Sequence, residues 1–258
     1  MKTPFTSRVA IVTGASAGIG RVIASDLSEA GAAVVVNARR HAPLSELAST
    51  LGGRCAAVAG DCADEEVIRS MLDRAAMLGG KETDLVVVNA GRGLNGSSIT
   101  SDPEEWEEMI RTNLLGAARL IRAAGLRMLK GSDGKTGSDV LSVPRDIVVI
   151  GSVVGRHVSP FSSMYGATKF AIHGLVEGTR RELGPKGIRV TLIEPGFVET
   201  EFQGVAGYDP AWVSGIFEKI GPVLLPSDIA RMVAFVASQP SHVHVSDILV
   251  RPTRQDYP

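Results

Sequence analysis

Seven short runs of β-branched and other apolar residues, separated by stretches of helical character, limit this chain to very few folds. The runs are Arg8 to Thr13, Ala33 to Ala38, Arg54 to Gly60, Asp84 to Asn89, Asp146 to Ser152, Gly187 to Glu194 and His244 to Val250. Most are almost continuously apolar, as strands buried on both faces must be. Strands that alternate with helices build repeated βαβ units, and a parallel sheet covered on both sides is the layered arrangement that buries them all. The expected fold is therefore α/β, a doubly wound parallel sheet of seven strands flanked by helices on both faces.

Helix starts are legible between the strands. Asp102 followed by Pro103, Glu104 and Glu105 reads as a cap, a first-turn proline and acidic residues facing the helix dipole, opening a long helix that ends near Lys130. Ser227-Asp228 before Ile229 marks another start. With 258 residues, 44% of them hydrophobic, the chain can bury a core without disulfides or metal, and residues 1–258 read as a single α/β domain. Basic and acidic residues number 27 and 28, so no global charge draws the chain to nucleic acid or an anionic membrane, and a small-molecule partner is expected. Cys55 and Cys62 lack metal-ligand spacing, which points to a reducing compartment and no metal. Met1 to Ala10 has no apolar core of leader length, and no run approaches the roughly 18 apolar residues of a membrane span, so a cytoplasmic location is expected.

Two segments interrupt the alternation. Gly131 to Arg145 is polar and glycine-rich and should form a surface loop; its Gly134-Lys135-Thr136 lacks the upstream glycine and leading strand of a phosphate loop. The stretch from about 196 to 225 carries Phe197, Phe202, Tyr208, Trp212, Ile216 and Phe217, an insertion placed to act as a substrate lid beyond the C-terminal end of the sixth strand.

The first strand runs straight into Thr13-Gly14-Ala15-Ser16-Ala17-Gly18-Ile19-Gly20, with a helix expected from about Ile19. In that context Gly14 permits a tight turn, Gly18 lets backbone approach a pyrophosphate, and Gly20 lets the helix pack on the strand, while the helix N-terminus offers N–H groups to the phosphates. This is a Rossmann-type dinucleotide site, with Gly14, Ser16, Gly18, Ile19 and Gly20 as candidate cofactor residues. Where an NAD site places a carboxylate about 20 positions further on, the chain reads Val36-Asn37-Ala38-Arg39-Arg40. Arg39 or Arg40 is placed to pair with a 2′-phosphate, so NADP(H) is preferred over NAD(H). Asp61, after the third strand, is open to two readings, an adenine amino partner or a loop cap.

Thr13 to Gly20, Asn89-Ala90-Gly91, Asn113, Ser152, Tyr165 with Lys169, and Pro195-Gly196 with Thr200 stand in the order and spacing of the classical short-chain dehydrogenase/reductase family, which the chain resembles along essentially its whole length. The family's common double asparagine reads Val88-Asn89 here, and its serine pair reads Gly151-Ser152; each retains the member expected to act. The resemblance implies a catalytic set of Asn113, Ser152, Tyr165 and Lys169, with Asn113 supporting a proton relay behind the lysine. It further implies cofactor contacts from Asn89, Ala90, Gly91, Tyr165, Lys169, Pro195, Gly196, Val198 and Thr200. A homo-oligomer, tetramer or dimer, built on the fourth and fifth helices is implied as well.

The residues themselves suggest the chemistry. Tyr165 and Lys169, four apart on a helix from about Met164 to Leu183, share one face. An ammonium there should lower a phenol pKa that is ordinarily about 10, and the charge of an oxidised nicotinamide pushes the same way. Tyr165 would exchange a proton with the oxygen of a ketone or secondary alcohol as hydride is transferred, and Ser152 would hydrogen-bond that oxygen. A non-catalytic NADP-sensing protein is the alternative of another class; a 3-oxoacyl thioester reductase and an NAD-dependent alcohol dehydrogenase are alternatives within the enzymes. Substrate contacts are expected from Arg92 to Leu94, from Val153 to Phe161 and from the lid aromatics. His157 reads equally as a polar substrate contact or loop surface, and Arg156 as a carboxylate partner or a structural group. The C-terminal Arg251 to Pro258 lacks the glycine-rich ending common in acyl-carrier-protein ketoreductases and looks more like hydroxy-acid dehydrogenases and antibiotic-pathway ketone reductases. A small β-keto acid and a bulky hydrophobic ketone both remain open as substrates.

Overall fold

The computed structural model describes residues 5–131 and 134–257. The leader reading at Met1–Pro4, Ser132 and Asp133 of the surface loop, and Pro258 of the C-terminal comparison therefore lie outside the described residues. In chain order the elements are β1 (Val9–Thr13), α1 (Gly18–Glu29), β2 (Ala33–Ala38), α2 (His41–Leu51), β3 (Cys55–Ala59), α3 (Glu65–Gly79) and β4 (Leu85–Val88). Then follow α4 (Glu104–Ile110), α5 (Ala117–Lys130), β5 (Asp146–Ile150), α6 (Ser163–Leu183), β6 (Arg189–Pro195), α7 (Phe202–Val205), α8 (Pro210–Ile220), α9 (Pro226–Ala237) and β7 (Asp247–Val250).

All seven strands are parallel, in the order β3-β2-β1-β4-β5-β6-β7. The pleat sends alternate residues to opposite faces. Ala10, Val12, Val34 and Val36 pack beneath Ile23 and Leu27 of α1 and Ile229 and Val233 of α9. Val9, Ile11, Val35 and Val149 meet Met71 of α3, Leu120 of α5 and Ile172 of α6. The chain winds outward from β1 in one direction and from β4 in the other, which leaves a crevice beyond the C-terminal strand ends at the switch point between them.

At the opposite, N-terminal edge, four buried charged residues tie the strands together. Arg8 before β1 bonds Asp84 at 2.7 Å and Asp146 at 2.6 Å, and Arg189 opening β6 bonds the two oxygens of Asp146 at 2.7 and 3.0 Å. The same guanidiniums reach the end of α9 and the loop after it, Arg8 through the Ala237 carbonyl and Arg189 through those of Gln239, Pro240 and Val243.

The structure departs from the sequence reading at a few ends. The helix expected from Asp102 to Lys130 runs as α4 and α5 joined by one wide π-helical turn, Arg111–Gly116. The last helix begins at Pro226, before Ser227, because the Asp228 carboxylate reaches back to the Leu225 N–H at 2.7 Å. β5 stops at Ile150, so Ser152 sits in the following turn. β7 starts only at Asp247, because the His244 ring, and not strand backbone, meets the Val190 N–H at 3.2 Å. Among the described residues, no helix is long and apolar enough to cross a membrane and no metal-binding cluster is present.

Asp146→Ala would leave Arg8 and Arg189 buried without their shared carboxylate. Urea unfolding is expected to show a loss of about 3–5 kcal/mol. Disrupting the exposed Arg21–Glu46 pair should barely move the midpoint.

Candidate active site

The crevice is a cavity of about 480 Å³, lined from the end of β2 to α7 and α8. Its floor is built at the β1–β4 junction. Thr13 Oγ1 accepts the N–H groups of Asn89 and Ala90, each at 3.1 Å, and Asn89 Nδ2 donates to the Thr13 carbonyl at 2.9 Å. Gly14 (φ +68°) and Gly18 (φ +52°) occupy the left-handed region that glycine tolerates, and a Cβ at Gly14 would press within 2.8 Å of Asn89 Nδ2. No side chain caps the N-terminus of α1, where Ala17, Gly18 and Ile19 line the cavity. A glycine-walled cradle ending in free helical N–H groups fits a pyrophosphate. Gly20 is not on the cavity wall; it lies against the Gly14 carbonyl, as its expected packing role requires.

At one end of the cavity Arg39 and Arg40 follow β2. Arg39 is paired with Glu108 at 2.6 Å, and Arg40 with Glu201, just before α7, at 3.2 Å and Ser16 Oγ at 3.3 Å. Burial works against the charge of Asp61, but the Ala63 N–H at 2.8 Å and the Arg111 guanidinium outweigh it and hold the carboxyl below the usual range. Asp61 is thus a loop cap and an ion-pair partner that also lines the cavity. Asn37 donates to the Val58 and Gly60 carbonyls while its buried Oδ1 has no partner. Cys62 faces the same end, its thiol pushed up to about 11, first by burial and then by Asp61, so it is a poor nucleophile.

At the other end the structure brings together Ser152, Tyr165 and Lys169. α6 holds Tyr165 and Lys169 one turn apart, with the ammonium 5.7 Å from the phenol ring centroid and donating to the Ile150 carbonyl at 3.1 Å. Ser152 and Tyr165 line the cavity side by side, and the serine hydroxyl favours the ionised form of the phenol. The expectation of a lowered phenol pKa is not met in the protein itself. Burial drives Tyr165 above its ordinary 10, against the pull of Ser152, and burial also pushes Lys169 down to about 8. Both groups are desolvated together, and desolvation favours the neutral form of each.

Asn113 lies in the π-helical turn, off the cavity wall. Its Oδ1 accepts the Arg92 N–H at 2.8 Å and its Nδ2 donates to the Arg92 carbonyl at 2.9 Å and to Thr168 Oγ1 at 3.1 Å. A methyl on Gly91 would touch both Asn113 Oδ1, at 3.3 Å, and Lys169 Nζ, at 3.8 Å, so the amide and the ammonium are neighbours behind the loop after β4. Pro195, Gly196, Val198 and Thr200 line the cavity as expected, as do Ala90 and Gly91.

Several expected substrate contacts fall elsewhere. Arg92 is turned to Glu105, and Leu94 packs with Met109 and Phe202 beneath the site. His157 is exposed and off the wall, and Arg156 is spent on buried Glu194 at 2.6 Å. Val153, Val154, Ser159 and Phe161 do reach the cavity, with Phe202, Val205, Tyr208 and Trp212 of the segment after β6. Sequence reasoning overlooked Gln255, whose buried Oε1 accepts the Phe197 N–H at 3.0 Å and pins the loop after β6; a lone glutamine in a C-terminal tail carries no signal of that contact. Thr112, also missed, lines the wall because the π-helical turn swings it inward.

Comparison with known proteins agrees with this architecture. The short chain dehydrogenase family model matches residues 8–209, and the chain belongs to that family of oxidoreductases. An oxidoreductase of Staphylococcus aureus is 34% identical over 97% of this chain and 99% of its own. Among solved structures, a serine dehydrogenase complexed with NADP+ superposes with a TM-score of 0.85 at 29% identity, covering 96% of each chain. A 3-ketoacyl-(acyl-carrier-protein) reductase from Brucella melitensis complexed with NADH gives 0.83 at 27% identity, covering 96% of this chain and 98% of the other.

Lys169 should lose its proton near pH 8 in the protein alone. Carbon NMR of ε-labelled lysine would show one resonance titrating there, absent in Lys169→Met; its absence in the wild type would contradict the desolvated environment.

Proposed function

We propose that the protein is an NADP(H)-dependent oxidoreductase that transfers hydride between the nicotinamide and a ketone or secondary alcohol, with Tyr165 as general acid/base. The observation that carries this reading is that Ser152, Tyr165 and buried Lys169, its ammonium 5.7 Å from the phenol ring centroid, open on the same cavity as the glycine cradle. Nicotinamide-bound structures of similar proteins support the cofactor class.

When bound, the dinucleotide supplies the hydride for reduction or accepts it in oxidation. Gly14, Ser16, Gly18 and Ile19 hold its pyrophosphate, and the partnerless Asn37 Oδ1 offers an acceptor to the adenosine. Asn89, Ala90 and Gly91 form the wall after β4, and Pro195, Gly196, Val198 and Thr200 meet the nicotinamide. Ser152 donates a hydrogen bond to the substrate oxygen as charge grows there. Tyr165, kept protonated by its burial, gives that oxygen its proton in reduction. Lys169 orients the nicotinamide ribose, and Asn113 supports it from behind. Residues 196–225 serve as the lid of this one domain.

Preference for NADP(H) is supported by the two arginines after β2 and by the lack of a carboxylate at that strand end. A 2′-phosphate must compete there with Glu108 and Glu201, so the preference is a matter of degree. Assembly into a homo-oligomer along α5 and α6 is supported by exposed apolar residues there, Leu115 in the π-helical turn before α5, Leu126 on α5 and Phe170 on α6.

The test is parallel oxidation of NADPH and NADH with a panel of ketones. Wild-type protein should favour NADPH, and Arg39→Asp should shift the ratio toward NADH; an unchanged ratio would remove Arg39 from cofactor choice. Tyr165→Phe should bind NADPH normally and lose turnover by about 10²–10⁴-fold. Retained turnover would eliminate the proposed acid/base.

A further inference from the structure

Charge and apolar surface are segregated within the cavity. Five charged residues line it: Arg39, Arg40, Asp61, Lys169 and Glu201. The two arginines and both carboxylates are engaged in the ion pairs around β2 and the start of the lid, and Lys169 is 8% exposed and bonded to the Ile150 carbonyl. Nearby cations outside the wall are also committed, Arg92 to Glu105 and Arg156 to Glu194 and Asp247. Among the described residues, the wall facing the Tyr165 hydroxyl from the lid therefore presents no cation to a substrate.

That wall presents aromatic rings. Tyr208 and Trp212 stack with centroids 5.3 Å apart and planes at 18°, Phe161 meets Trp212 edge-on at 6.5 Å, and Phe202 lies tilted against Tyr165 itself at 5.6 Å. Phe161 and Trp212 remain 58% and 39% exposed, and Val205 is 64% exposed. Apolar surface left open to water beside a buried proton donor gains free energy when a ligand covers it. Polar side chains at this end are uncharged, the hydroxyls of Ser152, Ser159, Ser162, Tyr165 and Tyr208 and the amide of Gln203, whose Nε2 donates to the Val198 carbonyl at 2.8 Å. A carboxylate, an amino acid or a phosphate ester would lose its water here without gaining an opposite charge.

We propose that the substrate is uncharged and carries a flat aromatic body beside the reacting carbon, an aryl ketone or the corresponding alcohol. The inference rests on the oxidoreductase reading above. It sets this chain apart from a protein that acts on serine, whose carboxylate needs a cation. The ring enters between Phe161, Phe202 and Trp212, in the offset or edge-on contacts aromatic pairs favour, and its oxygen is left to Ser152 and Tyr165.

Calorimetric titration of para-ethylacetophenone and para-acetylbenzoate into protein saturated with NADP+ tests this, since neither ketone can react with the oxidised cofactor. The neutral ketone should bind at least about thirtyfold more tightly than its near-isosteric carboxylate. Trp212→Ala should weaken the neutral ketone about tenfold or more and leave the NADP+ affinity unchanged, while Trp212→Phe should restore most of the loss. Equal or tighter binding of the carboxylate, no ketone binding at all, or indifference to Trp212→Ala would overturn the proposal. If Tyr165-dependent turnover persists with a preference for carboxylates, the oxidoreductase reading stands and the substrate class falls. If NADP+ itself does not bind, the cofactor reading falls, and the same pair titrated into the protein alone decides the substrate class.

Discussion

Arg8, Asp84, Asp146 and Arg189 form a continuous buried chain of ion pairs across the starts of β1, β4, β5 and β6. Taking such charges out of water is costly, and the cost is met only when each is paired in one geometry. Asp146 satisfies this by bonding both guanidiniums, while the remaining guanidinium nitrogens take carbonyls at and beyond the end of α9. The cluster fixes the register of the four central strands at one edge, and so sets how far each reaches at the other. The positions of Asn89, Ser152 and Pro195 relative to one another follow from that register.

The two edges of the sheet are thus specialised in opposite ways. The N-terminal edge is buried and charged, with Arg8, Asp84, Asp146 and Arg189 all paired. The C-terminal edge ends in glycines and small residues that leave backbone N–H groups and space. Gly14 and Gly18 keep the cradle open because any side chain there would meet Asn89, Ala90 or Thr200. Thr13 locks the cradle from below by accepting from both Asn89 and Ala90.

Desolvation governs the electrostatics of the reactive end. A lysine one helical turn from a tyrosine suggests an acidified phenol when only their spacing is considered. In the folded protein burial raises the tyrosine and lowers the lysine together, so the pair is held nearer neutrality than as a separated phenolate and ammonium. A neutral phenol fits its aromatic surroundings, where Phe202 of the segment after β6 lies against its ring.

The strand runs, the glycine turn and the YxxxK helix were legible in the amino-acid sequence because each is a local pattern. Near-continuous apolar runs demand two-sided burial, a glycine after a strand permits a left-handed turn, and residues four apart share a helix face. Those patterns determined the α/β fold, the glycine cradle and the shared face of Tyr165 and Lys169, while Asn89 to Gly91, Ser152 and Pro195 to Thr200 were picked out by the family resemblance. Only the tertiary structure decided what depends on neighbours distant in the chain. It turned Arg92 and Arg156 away from the cavity toward Glu105 and Glu194, tied Asp61 to Arg111, brought Gln255 from the C-terminal tail onto Phe197 and swung Thr112 inward on a π-helical turn. Ion pairs, burial and pKa values are properties of a three-dimensional surrounding. Sequence spacing supplies the charged groups, and packing determines which of them meet.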